Sequence, residues 1–198
     1  MDDIINLDHW FDKFDPFRDY ARTCSYGGEK NSVDGVTYPD ISKDIPEIIR
    51  QEIQEKLTQY TGGTVHMGEL FLRMRTEGVQ APYGAHNDAI MGSHALMVYM
   101  DNDDSPKTGT MLVEHIETGI KGQPETEADL ELVRKDSNDP SKWRVYDWLA
   151  EGGANTAVIF PTYLMHQAHP NDGFGKTNAD GRLVLTCFFD LEQPHGED

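Results

Sequence analysis

The chain has 198 residues, with 35 acidic and 17 basic side chains and a formal charge of −18 at pH 7. Such a surface repels phosphate backbones and anionic bilayers, so neither nucleic-acid binding nor a peripheral membrane role is expected. One domain with its own core is expected at this length. The two cysteines, Cys24 and Cys187, make no disulfide framework and the acidic N-terminus lacks a secretory n-region, so a reduced, cytoplasmic protein is expected.

Helices come first along the chain. Asp15-Pro16 reads as an N-cap followed by the first helical position, and Phe17, Tyr20, Ala21 and Cys24 then recur at helical spacing. After a turn-rich stretch, Gly27 to Asp40, a second helix is expected from Asp44 to the Gly62-Gly63 stop. Its apolar stripe is Ile45, Ile49, Ile53 and Leu57, broadened by Ile48 and Tyr60, and suits packing on a sheet. Beyond Thr64 the texture changes to short β-rich segments: Leu70 to Arg75, Ala95 to Met100, Thr110 to His115, Thr156 to Phe160 and Leu183 to Asp190. Helices followed by strands, without βαβ alternation, predict an antiparallel, mostly β domain buttressed by N-terminal helices. Gly119 to Gly153 is polar and acidic and reads as an insertion or lid, with a short helix around Glu127 to Arg134.

The chemistry-bearing residues cluster in two places. In His86-Asn87-Asp88, an extended backbone turns residues i and i+2 to one side, so imidazole and carboxylate can share a metal. A further histidine from a distant strand would complete a two-histidine, one-carboxylate triad with one side open, the set that suits non-haem Fe(II). The second place is AVIFPTYLMHQAHPNDGFG and the GRLVLTCFFD that follows: an apolar strand, then Phe160-Pro161, His166, Pro170, a glycine-rich turn and Arg182. An arginine heading an apolar strand needs an anion, because an unpaired buried guanidinium is costly and a carboxylate matches its fork. Asp88, Asp172 or Asp180 could supply one; so could a ligand. His166 and His169 compete as third ligand, and three apart on a strand they face opposite sides, so only one can ligate. His94 and His115 read as satisfied strand or rim histidines, His195 as an exposed tail residue, and Cys24 and Cys187 as packing. Trp143 and Trp148 read as tethers of the insertion.

These motifs, in this order, resemble the Fe(II)/2-oxoglutarate-dependent dioxygenases, most closely the small prolyl-4-hydroxylase-like branch. The matching elements are His86/Asp88, the strand Leu96 to Asn102 with Tyr99, the turn Thr108-Gly109-Thr110-Met111-Leu112, Phe160-Pro161 with His166, Ala168 and Pro170, and Arg182 with Leu185 and Phe189. They span Leu70 to Asp190. The resemblance implies a double-stranded β-helix (a jelly-roll or cupin-like barrel) over residues 64–198 with the insertion at 119–153, behind a helical buttress at 1–63. It implies that His86, Asp88 and His166 hold Fe(II), and that Arg182 pairs with the distal carboxylate of 2-oxoglutarate. Tyr99 would donate to that carboxylate, Arg75 would lie near another cosubstrate contact, and Tyr83 would line the substrate side. The activity implied is hydroxylation of a peptide or amino-acid side chain, with O2 consumed and 2-oxoglutarate converted to succinate. Two features depart from the family. Val184 stands where some relatives carry a cosubstrate-binding serine, and the span from His166 to Arg182 is longer than usual. Two other readings of the residues stay open: a cupin-like metalloenzyme that does not use 2-oxoglutarate, and a non-catalytic barrel serving as a binding module.

Overall fold

The computed structural model describes residues 4–30, 33, 35–79, 83–102 and 105–192. The N-terminal part holds β1 (Ile5–Leu7), α1 (Phe14–Thr23), β2 (Glu29–Lys30), β3 (Thr37–Tyr38), β4 (Ile41–Ser42) and α2 (Glu47–Thr61). It is followed by β5 (Thr64–Arg75), β6 (His94–Tyr99), β7 (Gly109–His115), α3 (Glu127–Asp136) and β8 (Trp143–Glu151). The chain closes with β9 (Thr156–Pro161), β10 (His166–His169) and β11 (Arg182–Glu192).

The paired strands run antiparallel. A six-stranded sheet has the order β1-β9-β6-β11-β5-β4, and a three-stranded sheet the order β10-β7-β8. His86 adds a further rung to the small sheet through an isolated bridge to His166. Two facing antiparallel sheets with this crossed order make a double-stranded β-helix, the fold class expected from the sequence.

Period-2 alternation explains how the large sheet is buried on both faces. Leu70, Leu72 and Met74 of β5 and Leu183, Leu185 and Cys187 of β11 face outward, where they pack with Ile49, Ile53 and Leu57 of α2 and Phe17 and Ala21 of α1. The alternate residues, Phe71 on β5 and Val184 and Phe188 on β11, face the small sheet and meet Leu112 and Leu149. Because both faces are covered, β11 reads as a nearly continuous apolar run. Gly62 ends α2 in the left-handed conformation, φ 68°, as the Gly62-Gly63 stop predicted.

Three expectations need correction. First, Ile48 is 69% exposed and does not broaden the α2 stripe, because it lies about 100° round the helix from Ile49. Second, the first 63 residues are not purely helical: β1 and β4 form the two edges of the large sheet. Third, the insertion does not extend to Gly153. Trp143–Glu151 is β8, paired with β7 along its length; α3 matches the short helix expected there. Helix starts also differ slightly: α1 begins at Phe14 and α2 at Glu47, and Asp15 pairs with Arg18 at 2.9 Å instead of capping. His195 lies outside the described residues.

The N-terminal segment is fastened by one side chain. Asn155, itself left-handed at φ 61°, accepts from the Phe11 amide at 2.7 Å through Oδ1 and donates to the Phe11 carbonyl at 2.9 Å through Nδ2. Asn155→Ala strands both Phe11 groups in a buried position and places alanine in αL. A loss of about 2–4 kcal/mol is expected, read as a lower urea midpoint at unchanged m-value.

Candidate metal and carboxylate site

The His86 and Asp88 segment is held to the second histidine by backbone. His86 N–H donates to the His166 carbonyl at 3.0 Å, His166 N–H donates back to the His86 carbonyl at 2.8 Å, and Asp88 N–H donates to the Thr162 carbonyl at 2.9 Å. These bonds bring together side chains 80 residues apart in the chain. One ligand atom from each of His86, Asp88 and His166 lies within 4.8 Å of the others. His86 Nε2 is 3.8 Å from Asp88 Oδ1, and His166 Nε2 is 3.4 Å from Asp88 Oδ2. Both imidazoles donate from Nδ1 to the carbonyl two residues before them, Gly84 and Leu164, each at 2.9 Å. A carbonyl only accepts, so Nδ1 carries a proton in both rings; Nε2 offers its lone pair when the ring is neutral, and in protonated His166 it donates to Asp88 Oδ2.

Electrostatics separates the two histidines. Burial lowers His86 to about 4, against the attraction of Asp88. His166 is also penalised by burial, but its contact with Asp88 outweighs this and raises it. Asp88 falls to about 2: burial acts upward, and the two histidines pull it down. A carboxylate that stays ionised between two Nε2 atoms favours a positive charge at their centre. The donor set, its geometry and the carbonyls that hold both Nδ1–H groups therefore fit a divalent metal such as Fe(II).

Arg182 opens β11, two residues before the inward-facing Val184. It is 2% exposed, donates from one terminal nitrogen to the Gly109 carbonyl at 3.2 Å, and has no hydrogen-bond partner at Nε. No carboxylate forms an ion pair with it among the described residues. None of the acids suggested by the sequence partners it. Asp88 stands between the histidines, Asp180 caps the turn at Lys176 and Thr177, and Asp172 is exposed. The carboxylate whose charge most offsets its burial is Asp101, which is itself taken up by Leu183 N–H at 2.9 Å and the Thr108 hydroxyl at 2.7 Å.

Tyr99 lies within electrostatic reach of Arg182, and its hydroxyl is 2.7 Å from Thr110 Oγ1. Burial pushes the phenol up to about 12, so it is protonated at neutral pH. The two hydroxyls hold two hydrogens: one makes their mutual bond, and Thr110 Oγ1 also donates to Met97 Sδ at 3.7 Å, a weak acceptor that a better one could replace. Val184 is buried among the interior apolar residues and pairs with Tyr99 across β11 and β6.

Arg75 faces Arg182 across β5 and β11. Its Nε donates to Asp40 Oδ2 at 2.6 Å and one terminal nitrogen reaches the Asn171 carbonyl at 3.4 Å, so its guanidinium already has protein partners. The pattern reading missed Arg73. It lies on the same face of β5, flanked by the rings of Tyr38 and Phe71 at 5.5 and 5.3 Å, with its Nε making no hydrogen bond but forming an ion pair with Asp40. Asp40 Oδ2 is 3.6 Å away, and the Arg73 charge is felt by all three triad residues and by Arg182. The alternation Phe71-Arg73-Arg75 against Leu70-Leu72-Met74 was the available signal.

Tyr83 is exposed at the rim, its ring centroid 6.4 Å from that of His86. His169 packs edge-on against Trp148 at 5.3 Å, away from the triad atoms. His115 is buried against Asp136, and His94 stacks on Phe189 at 5.6 Å. The Trp143 indole donates to the Asp136 carbonyl at 2.9 Å, as a tether would. No described helix is long and apolar enough to cross a membrane.

No family model and no curated protein sequence matches the chain. Its fold is shared with solved structures. AviO1 from Streptomyces viridochromogenes Tue57 aligns with a TM-score of 0.55 and 15% identity, over 100% of this chain and 92% of that one. SnoN, the non-haem α-ketoglutarate-dependent epimerase from nogalamycin biosynthesis, aligns at 0.57 and 13%, over 95% and 78%. EctD from S. alaskensis, solved with bound Fe, aligns at 0.53 and 13%, over 100% and 77%. At these identities the likeness is one of fold.

Proposed function

We propose that the chain is a non-haem Fe(II)/2-oxoglutarate-dependent oxygenase, with His86, Asp88 and His166 as iron ligands and Arg182 as the anchor of the cosubstrate's distal carboxylate. The observation that carries the reading is the conjunction of a three-ligand cluster with a buried, incompletely partnered guanidinium in the same barrel interior. A metal site alone suits many chemistries. A second, anion-demanding cation inside the barrel suits a ligand that carries a carboxylate as well as a metal-binding group. Support also comes from SnoN, whose description makes it α-ketoglutarate-dependent, and from EctD, which was solved with Fe.

Iron held by His86, Asp88 and His166 would, with 2-oxoglutarate and O2, supply the oxidising power for attack on an unactivated C–H bond, O2 being the oxidant and the keto-acid giving up two electrons as it loses CO2 to become succinate. The chain's own residues supply position and charge. Asp88 stays ionised and the Nδ1–H donors fix both imidazoles with Nε2 inward. Arg182 meets the distal carboxylate, and the Tyr99 hydroxyl turns from Thr110 to donate to it. Arg73 and Arg75 keep this part of the interior cationic although the chain as a whole is strongly acidic. Phe160, edge-on to His166 at 5.3 Å, with Val184 and Leu112, excludes water from that end.

For the prime substrate, the motif order supports a peptide or amino-acid side chain that is hydroxylated, prolyl-hydroxylase-like, with Tyr83 on the substrate side. The SnoN description instead favours a small molecule. The buried, unpaired thiols of Cys24 and Cys187 agree with a reducing, cytoplasmic setting. The test is turnover: with Fe(II), 2-oxoglutarate and O2 the chain is expected to release succinate slowly, and faster with peptide or small-molecule substrates. Succinate release no faster than from Fe(II) alone would contradict it.

A further inference from the structure

We infer that the C-terminal end of α3 is a positioning clamp for His86, so that metal uptake and docking of α3 form one coupled equilibrium. The inference rests on the proposal that His86 is a metal ligand. It assigns the polar segment after β7 a task other than that of a lid.

The clamp grips the peptide next to the ligand. Ala85 N–H donates to the Ser137 carbonyl at 2.9 Å, and Ser137 Oγ donates back to the Ala85 carbonyl at 2.8 Å. A Cβ on Gly84 would lie 2.4 Å from the Ser137 oxygen, so only glycine permits this approach. The Gly84 carbonyl is the acceptor that orients the His86 ring through Nδ1. Fixing Gly84 and Ala85 therefore fixes both the position and the rotation of that imidazole.

The other side of the clamp is fastened to the small sheet. Asp136 Oδ2 is 3.2 Å from His115 Nε2, and the Asp136 carbonyl accepts from the Trp143 indole at 2.9 Å. His115 ends β7 and Trp143 opens β8, while β7 pairs with β10, which carries His166. Val133 packs with Ala85, Val113, Trp143 and Met165 in a small apolar cluster of its own. The segment thus ties the first ligand to the sheet that bears the third.

The same layout makes the clamp a separable unit. Within α3 only Val133 and Asp136 are buried, with Ser137 next to them, and the rest of its ten residues face solvent or are half-exposed. A helix this short is marginal alone, so docking of its end decides whether it forms. If docking tightens metal binding, metal must tighten docking by the same factor.

The test uses Co(II) as the probe on the full chain. Ser137→Ala is expected to weaken Co(II) binding about tenfold, the lower end of the roughly 10–100-fold lost when a ligating histidine loses its hydrogen-bond support, because Ser137 acts through the Gly84-Ala85 backbone. Ser137→Thr, which keeps the hydroxyl, restores the affinity, and Ser141→Ala, on the exposed turn beyond, leaves it unchanged. Gly84→Ala should weaken binding at least as much. In the unmutated chain, Co(II) is expected to slow hydrogen exchange at the Ala85 amide more than at Leu185 in the large sheet. An affinity unchanged in Ser137→Ala, or equal slowing at both amides, overturns the inference while leaving the metal site standing. Absence of Co(II) binding to the unmutated chain overturns the metal reading and the clamp with it.

Discussion

Arg182→Met is expected to leave the ligand-free protein at least as stable as the unmutated chain while removing its response to 2-oxoglutarate. Arg182 is 2% exposed, burial pulls its pKa down, and its Nε has no partner. Replacing a poorly compensated buried charge with an apolar side chain of similar volume is often neutral or stabilising, by about 1–4 kcal/mol. Against this stand the lost bond to the Gly109 carbonyl, about 1 kcal/mol, and one fewer cation near Asp101, which still feels Arg22. Binding moves the other way. Removing one partner of a buried charge pair costs about 2–5 kcal/mol, so 2-oxoglutarate affinity should fall at least about thirtyfold. The opposite signs separate an anchor from a structural arginine. Urea unfolding with and without 2-oxoglutarate reads both: the ligand should raise the midpoint of the unmutated chain and not that of the variant. A variant destabilised by several kcal/mol without ligand would mark Arg182 as part of the core's own pairing.

The second large effect is on metal. His86→Ala, Asp88→Ala and His166→Ala are each expected to weaken Fe(II) or Co(II) binding by more than the roughly 10–100-fold typical of an outer-shell partner. His169→Ala should not, because its ring sits against Trp148 rather than with the triad atoms. Among the three, Asp88→Ala should also change the metal-free protein, since its carboxylate holds the favourable charge next to both imidazoles. Titration of the metal with a competing chelator gives the affinities; equal affinity in His166→Ala and the unmutated chain would return the third position to His169.

Much of this was legible in the sequence because both faces of the large sheet are buried. Strands such as Leu183 to Asp190 then carry uninterrupted apolar runs, and the stripe Ile45, Ile49, Ile53 and Leu57 matches the sheet's outer face. The small sheet was harder. The middle of β8, Arg144 to Asp147, is exposed, so the strand reads as polar loop, and β1 is too short for any periodicity. Turns and caps adjusted helix starts by a residue or more. At the site, H-x-D and the Phe160-Pro161 frame named the three residues that the fold brings together. Arg73 escaped because the family resemblance points to Arg75, and the Asp40 that occupies Arg75 is 35 residues away in sequence. Pairings of that range depend on the fold, as does the contact between Ser137 and Ala85.

The most direct measurement is anaerobic. Fe(II) and then 2-oxoglutarate are added to the purified chain, and the visible spectrum is followed for the weak charge-transfer band of a keto-acid chelated to ferrous iron. The account predicts a band that saturates with 2-oxoglutarate and is absent in both His86→Ala and Arg182→Met. Tight Fe(II) binding with no band at saturating 2-oxoglutarate would contradict it and point to a cupin-like metalloenzyme; no Fe(II) binding at all would leave a non-catalytic barrel.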